Sequence, residues 1–514
     1  MTARVGESAS TETLAGLLAA QAAADGSRMA IAFPDEELSF AELHAKADGM
    51  ARALAANGIG PGDRVGIFMP NALEYIQLIF AVSLVGAQLV PINARFKRRE
   101  LAHVIANSEL AILFTSPAIP EVDFPGIVHD ALQTLQTRPA VVIAGEALDA
   151  FVAAGASAPG VRPTGSADDV AVVLYTSGTA AAPKGCELTH RAVINAWRSY
   201  ADGIGLAADT PLWAPCPLFH VGGIGPLTAC VLRGATMVSA PHFVAADALE
   251  QIVDSGAVHL FPAFPAFTLG ILRTPAYAPE RLAHVRTVLN VAPPETEELI
   301  QSMLPEQAVL LNDFGMTEAA GIVTFTPVAD SVHDRCRTNG LPFEGVEVRI
   351  AAEDGVTEVP PGVAGEIQFR GANALRGYLN EPEATAATII AGGWVRTGDQ
   401  GKLTDTGRLI YIARIKEILK VGGENVAPAE VEAWLSTHPA VAVAQIVGKP
   451  DDKYGEVPVA FVELLPGKDC TPDELIEHCR GQLANFKIPR EVRFVTEWPM
   501  SATKIQKFRL RELV

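Results

Sequence analysis

Basic residues are scarce in this chain of 514. There are 40 Lys and Arg against 59 Asp and Glu, a formal net charge of −19. A broad nucleic-acid footprint needs clustered Lys and Arg to displace phosphate counterions, so this balance argues against one. An anionic small molecule stays open, because one or two lysines and local dipoles can hold a phosphate inside an acidic protein. Cysteine is sparse and scattered: Cys186, Cys216, Cys230, Cys336, Cys470 and Cys479 show no CxxC or CxH pairing. Neither a zinc site nor a small disulfide framework fits, and reduced thiols in a cytoplasmic protein are expected. The first thirty residues carry Glu7, Glu12 and Asp25 in no basic-then-apolar order, so no signal peptide is read there. A clean membrane span is also missing. The longest apolar stretch, Tyr75–Ile92, is interrupted by Gln77, Ser83, Gln88 and Pro91. It reads as a buried helix turning at Gly86 into a short strand.

What is present is apolar material, 49% of the chain, enough for two to four cores. Gly 44 and Pro 36 imply many tight turns, as in an α/β enzyme. Helical and strand signals alternate from about residue 10 to residue 410. Phe40–Asn57 has helical spacing and is broken by Gly58–Asp63. Arg64–Met69 reads as a strand, with an amphipathic segment after Asn71, and Val170–Tyr175 and Ala308–Leu311 as buried strands. The pattern predicts helix-covered β-sheets in a large region, 1–412. From Gly362 short strands and Gly-rich turns take over, leading to a small α+β region, 413–514. Its expected elements are helices Pro428–His438 and Pro472–Leu483 and strands Val441–Val447 and Val457–Leu464. The division is expected near Ala413–Lys416.

The strongest chemical signal is Tyr175–His190. A buried strand ends in Thr176-Ser177-Gly178-Thr179, with hydroxyls and backbone N–H groups, and Lys184 follows. Such a loop can wrap phosphate oxygens while the ammonium neutralises them. It is not GxxxxGK[ST], and a plain polar strand-to-helix turn is the rival reading.

In order along nearly the whole chain, the motifs resemble those of the adenylate-forming superfamily: acyl-CoA synthetases, peptide-synthesis adenylation domains and luciferases. The loop above is similar to TSGTTGxPKG. Pro217-Leu218-Phe219-His220 with Gly222 and Gly223 resembles the aromatic-His motif, and Phe314-Gly315-Met316-Thr317-Glu318 resembles YGxTE. Gly365-Glu366-Ile367 with Arg370-Gly371, then Gly377-Tyr378, Trp394–Asp399 and Arg414-Ile415-Lys416-Glu417 continue the series. Gly422-Gly423-Glu424-Asn425 with Pro428, Ala484–Pro489 and Lys504 close it.

The resemblance implies an AMP-forming acyl-CoA synthetase using ATP, Mg²⁺ and coenzyme A. A carboxylate attacks the α-phosphate of ATP and leaves an acyl adenylate; the small domain then rotates and a thiol displaces AMP. Carried over by motif, the catalytic set is Lys504, His220, Thr317 and Glu318, with Glu318 and Thr176 at the metal. ATP falls to Thr176, Ser177, Gly178, Thr179, Lys184, Val291, Ala292, Pro293, Asp313, Phe314, Thr317, Asp399, Arg414 and Lys504. Phe314 is expected to stack on adenine, and Asp399 with Arg414 to take the ribose hydroxyls. Gly422 and Gly423 are expected to line the coenzyme A passage, and Lys416 to be the hinge. His220, Val221, Gly222, Phe264, Asn290, Met316 and Ala319 are placed around the acyl chain. Space left by Gly222, Gly223 and Ala319 favours a medium-chain or aryl carboxylate. The expected partners are that carboxylate, ATP and coenzyme A, without nucleic acid or a membrane span; a homodimer is left open.

The chain departs from the family pattern in four places. Ala180 and Ala181 replace a Thr and a Gly in the phosphate loop. Asn290-Val291-Ala292-Pro293 stands where GGAP or GAAP is common, which puts a polar side chain on the wall between adenine and acyl pocket. Ala413 stands where an Asp precedes the hinge Arg. Ser501-Ala502-Thr503-Lys504 lacks a Gly, so Lys507 rivals Lys504. Alternative readings are a carrier-protein-loading adenylation enzyme, a luciferase-type oxygenase and a degenerate nucleotide-binding protein.

Overall fold

The computed structural model describes residues 13–120, 122–161, 165–176, 183–451, 453–500 and 505–514. The expectations for Ser177, Gly178, Thr179, Ala180, Ala181 and the Ser501–Lys504 segment lie outside the described residues.

Local chemistry starts the elements that carry the core. Ser39 Oγ accepts the Glu42 N–H at 3.3 Å while the Glu42 carboxylate accepts the Ser39 N–H at 2.8 Å. This reciprocal cap opens helix Phe40–Ala56. Strand Arg64–Phe68 lies beyond the Gly-rich break. The stretch after Asn71 becomes helix Leu73–Leu84, with eleven of its twelve residues buried. It is the buried helix read in Tyr75–Ile92, and the amphipathic reading of the segment after Asn71 does not hold. Gly86 takes a φ of +73°, and the chain turns into strand Gln88–Pro91. No described helix is long and apolar enough to cross a membrane.

Two seven-stranded sheets dominate the large region. One runs Val309–Leu311, Thr287–Asn290, His259–Ala263, Leu212–Trp213, Met237–Val238, Met29–Ala32, Glu37–Ser39, parallel except for the last pair. The other runs Gly377–Tyr378, Lys184–Thr189, Val170–Thr176, Gln88–Pro91, Arg64–Phe68, Ile112–Thr115, Ala140–Ile143, antiparallel only in its first two pairings. Helices between them join both into one apolar core that includes Ile31, Phe261, Val65 and Leu89. Packing there is close. A Cβ on Gly225 of helix Val221–Arg233 would sit 1.7 Å from the Trp197 ring. Trp197 in turn meets Tyr200 and Phe261 edge to face.

A third, antiparallel sheet holds Val346–Ala351, Gly365–Gly371, Trp394–Leu403 and Ile389–Ile390, with Leu409–Arg414 paired to Trp394–Leu403. Ala413 and Arg414 thus belong to a strand of this sheet, which ends within the Ala413–Lys416 stretch where the division is expected. The following turn, Ile415–Glu417, contains the exposed Lys416. Beyond it, strands Leu419–Val421, Glu424–Val426, Val441–Asp451, Gly455–Leu464 and Glu491–Phe494 form a sheet with its own core, covered by helices Pro428–Leu435 and Pro472–Cys479.

Candidate active site

Parallel strands deliver their connections to one edge, and ligands of α/β folds bind beyond the carboxyl ends of such strands. Here four neighbouring strands end that way. Leu212–Trp213 leads to Pro217–His220, His259–Ala263 to Phe264, Thr287–Asn290 to Val291–Pro293, and Val309–Leu311 to Asp313–Glu318. His220 caps helix Val221–Arg233, its Nδ1 accepting the Gly222 N–H at 3.0 Å. With Nδ1 as acceptor, the proton of the neutral ring sits on Nε2. The imidazole lies edge-on to Phe264, ring centres 6.4 Å apart. A Cβ on Gly321 would sit 3.2 Å from Val221, so this turn abuts the one carrying Glu318.

The structure corrects the account of the small residues. A Cβ on Gly223 would sit 2.3 Å from the Pro217 carbonyl oxygen, and one on Gly222 3.1 Å from His220 Nδ1. These glycines leave room for the chain's own turn. Val221 and Ala319 are buried in the core, whereas Phe264 and Met316 are only partly covered. Asn290 is fully buried rather than set on a pocket wall. Its Oδ1 accepts from Thr268 Oγ1 at 2.7 Å, and its Nδ2 donates to Glu297 Oε1 at 3.0 Å. Burial holds the Glu297 carboxyl well above its ordinary pKa, with the neighbouring Asp313 adding to the effect. Asp313, also buried, is pushed up to about 7.

The residues expected at the phosphate and the metal meet at the second sheet. Thr176 and Lys184 are register partners across the antiparallel pair Val170–Thr176 and Lys184–Thr189. Tyr378 pairs with Cys186 on the other side of that strand. Its hydroxyl donates to Glu318 Oε1 at 2.7 Å, and Lys184 Nζ lies 5.3 Å from its ring centre. Thr317 and Glu318 sit in a short turn that begins after the extended Met316. No cluster of three His, Cys, Asp or Glu side chains able to hold a metal occurs among the described residues. One carboxylate and one hydroxyl suit Mg²⁺, which keeps waters and takes phosphate oxygens instead of an all-protein cage.

The third sheet supplies the sugar-binding candidates. Asp399 and Arg414 are register partners, with Arg414 Nε 3.1 Å from Asp399 Oδ1. Arg414 Nη1 also donates to the Thr397 carbonyl at 3.1 Å. Phe314 is 6% exposed and its face is stacked on Tyr411 at 6.0 Å and 26°. The ring open to solvent is Tyr411, which sequence reasoning missed. Its outward place in Leu409–Arg414 was its only signal. Tyr378 belongs to the Gly377-Tyr378 motif, and nothing in the sequence shows its contacts with Glu318 and Lys184.

In the small region, Gly422 and Gly423 form a two-residue hairpin turn with φ of +61° and +90°. Both signs are required by such a turn. A Cβ on Gly423 would meet nothing within 4 Å, and the positive φ by itself already favours glycine here. Lys507 Nζ is held 2.6 Å from Glu432 Oε1 and 3.5 Å from Glu417 Oε2.

Comparison with known proteins decides the family. The AMP-binding enzyme profile matches residues 18–379, and that of the AMP-binding enzyme C-terminal domain matches 430–504. The chain belongs to the AMP-binding enzyme family. This AMP-binding enzyme is 32% identical to the 2-succinylbenzoate–CoA ligase of Bacillus cereus, over 98% of its own length and 99% of the relative's. It is 31% identical to the long-chain-fatty-acid–CoA ligase FadD13 of Mycobacterium tuberculosis, over 93% of each chain. The structure of o-succinylbenzoate coenzyme A synthetase from Bacillus subtilis with ATP and magnesium superposes with a TM-score of 0.82 at 27% identity. That match covers 96% of this chain and 98% of the other. The fold is thus the adenylate-forming one. The AMP-binding enzyme is an AMP-forming acid–thiol ligase, with ATP, Mg²⁺ and coenzyme A as its reactants and cofactor.

Proposed function

We propose that the chain activates a medium-chain or aryl carboxylate for transfer to coenzyme A. The observation that carries this reading is the partly covered apolar ring of Phe264, edge-on to His220. Around it each residue has a task its chemistry suits. His220, with Nε2–H as donor, orients the substrate carboxylate. Thr176 and Lys184, with Ser177, Gly178 and Thr179, bind phosphate oxygens. Glu318 holds Mg²⁺, which neutralises phosphate charge when bound. Asp399 and Arg414 take the ribose, Val291–Pro293 and Asp313 border the base, and Thr317 lies between metal and phosphate. Lys504 bridges the substrate carboxylate and the α-phosphate, easing the approach of two anions.

The large and the mobile small domain divide near Ala413–Lys416, with Lys416 as hinge and the Gly422–Gly423 turn on the coenzyme A side. Six unpaired cysteines, five of them buried, support a reducing, cytoplasmic setting. A screen of carboxylates by pyrophosphate release tests the substrate class. Hexanoate or benzoate-like acids are expected to exceed acetate in kcat/KM, and the reverse order would refute the reading. Light scattering settles whether the chain is a homodimer.

A further inference from the structure

Lys184 and Glu318 carry opposite charges, are both partly exposed, and approach the same aromatic side chain. Yet no ion pair joins them among the described residues. Tyr378 touches both. Its hydroxyl donates to Glu318 Oε1 at 2.7 Å, while the Lys184 ammonium rests 5.3 Å from its ring centre. The tyrosine is itself fixed: its strand pairs with Lys184–Thr189, and its N–H donates to Thr385 Oγ1 at 2.9 Å.

We infer that Tyr378 is a positioning residue that keeps the phosphate-binding lysine and the metal-binding carboxylate apart and ready. Without that side chain, an ammonium and a carboxylate gathered around one position would be drawn to one another. Each would then have to be released before meeting phosphate or cation. The phenol satisfies both with weaker, separable contacts: a hydrogen bond to one carboxylate oxygen, and a ring face for the ammonium. Fixing Oε1 also sets the rotation of the carboxylate, leaving Oε2 for a hard cation. This inference rests on the metal role proposed for Glu318.

The test is Mn²⁺ binding in the presence of saturating ATP, followed by electron paramagnetic resonance on the full-length enzyme. Glu318→Gln should abolish tight Mn²⁺ binding; if it does not, the metal assignment fails and this inference falls with it. Given that loss, Tyr378→Phe should weaken Mn²⁺ by roughly tenfold, the scale of one hydrogen bond to a charged group. Its melting temperature and its thioester formation from supplied acyl-AMP should stay at wild-type values. Tyr378→Leu removes the ring as well. It should weaken Mn²⁺ further, and that extra loss should shrink as salt screens the new Lys184–Glu318 pair. Wild-type Mn²⁺ affinity in Tyr378→Phe, or a salt-independent loss no larger in Tyr378→Leu, would overturn the inference.

Discussion

Asp399 and Arg414 face one another across a single antiparallel strand pair, the guanidinium Nε 3.1 Å from the carboxylate. The Asp399 side chain is only 4% exposed, whereas that of Arg414 is 40% exposed. The carboxylate therefore depends on its partner more than the partner depends on it. Arg414→Ala removes the cation beside a nearly buried anion and should cost about 1–3 kcal/mol of stability, discounted for the exposed arginine. Asp399→Asn removes the charge that needs compensation and should cost less. Both should raise the KM for ATP. Denaturant melts of the two single variants and the double variant measure the coupling; strict additivity would refute this dependence.

Buried Asp313 gives the protein a pH signature. Its folded-state pKa is raised from the ordinary 3.8 to about 7 by loss of solvent. The folded chain then binds more protons than the unfolded one between about pH 4 and pH 7. Stability from this group is fully present below the lower value and is lost as pH rises through the upper one, by at most about 4 kcal/mol. Asp313→Asn should therefore gain stability over the wild type at pH 8 and lose that advantage at pH 4. Parallel melting curves for the two proteins at both pH values would refute it.

The C-terminal lysines should separate by half-reaction. Lys507 is held by Glu432 and Glu417, and Glu432 Oε1 also accepts the Ile446 N–H at 2.7 Å. That engagement favours Lys504 as the lysine serving adenylation. Lys504→Ala should cut acyl-adenylate formation roughly 10²–10³-fold while sparing thioester formation from supplied acyl-AMP. Lys507→Ala should lower stability by about 1 kcal/mol and touch both halves weakly. If only the Lys507 variant loses adenylation, the assignment moves by one turn.

Lys416 offers a way to separate the two conformations. A short 3₁₀ turn accommodates the φ near −65° that proline imposes, but rotation about this position needs a different value. Lys416→Pro is expected to keep adenylation and lose thioester formation. Gly423→Leu places a side chain at φ +90° in an exposed hairpin turn, costing roughly 1–2 kcal/mol. It should also raise the KM for coenzyme A with acyl-adenylate formation little changed. Equal loss of both halves in Lys416→Pro would argue against a hinge here.

Much of this architecture was legible along the chain, because it depends on neighbours in sequence. The cap at Ser39, the turn at Gly86 and the strand before Thr176 all follow from local propensity and spacing. Motif order likewise singled out His220, Glu318, Asp399 and Arg414 as candidates. What escaped depends on strands far apart in sequence. Tyr378 meets Glu318 only because its short strand pairs beside Cys186, and Tyr411 covers Phe314 only through the third sheet. Gly222 and Gly223 were misread for the same reason. A glycine announces that something comes close, and only the fold shows that the neighbour is His220 for Gly222 and Pro217 for Gly223.

The candidate site draws its parts from three separate sheets, so bound nucleotide would act as a non-covalent crosslink between distant stretches of chain. Opening any one sheet would break the site, which couples ATP concentration to protection of all three. The stabilisation grows as RT ln(1 + [ATP]/Kd), about 2.7 kcal/mol at a hundredfold excess over Kd. Protease nicking near residues 176, 318 and 399 should consequently slow together, in step with nucleotide, although these positions lie on different sheets and turns.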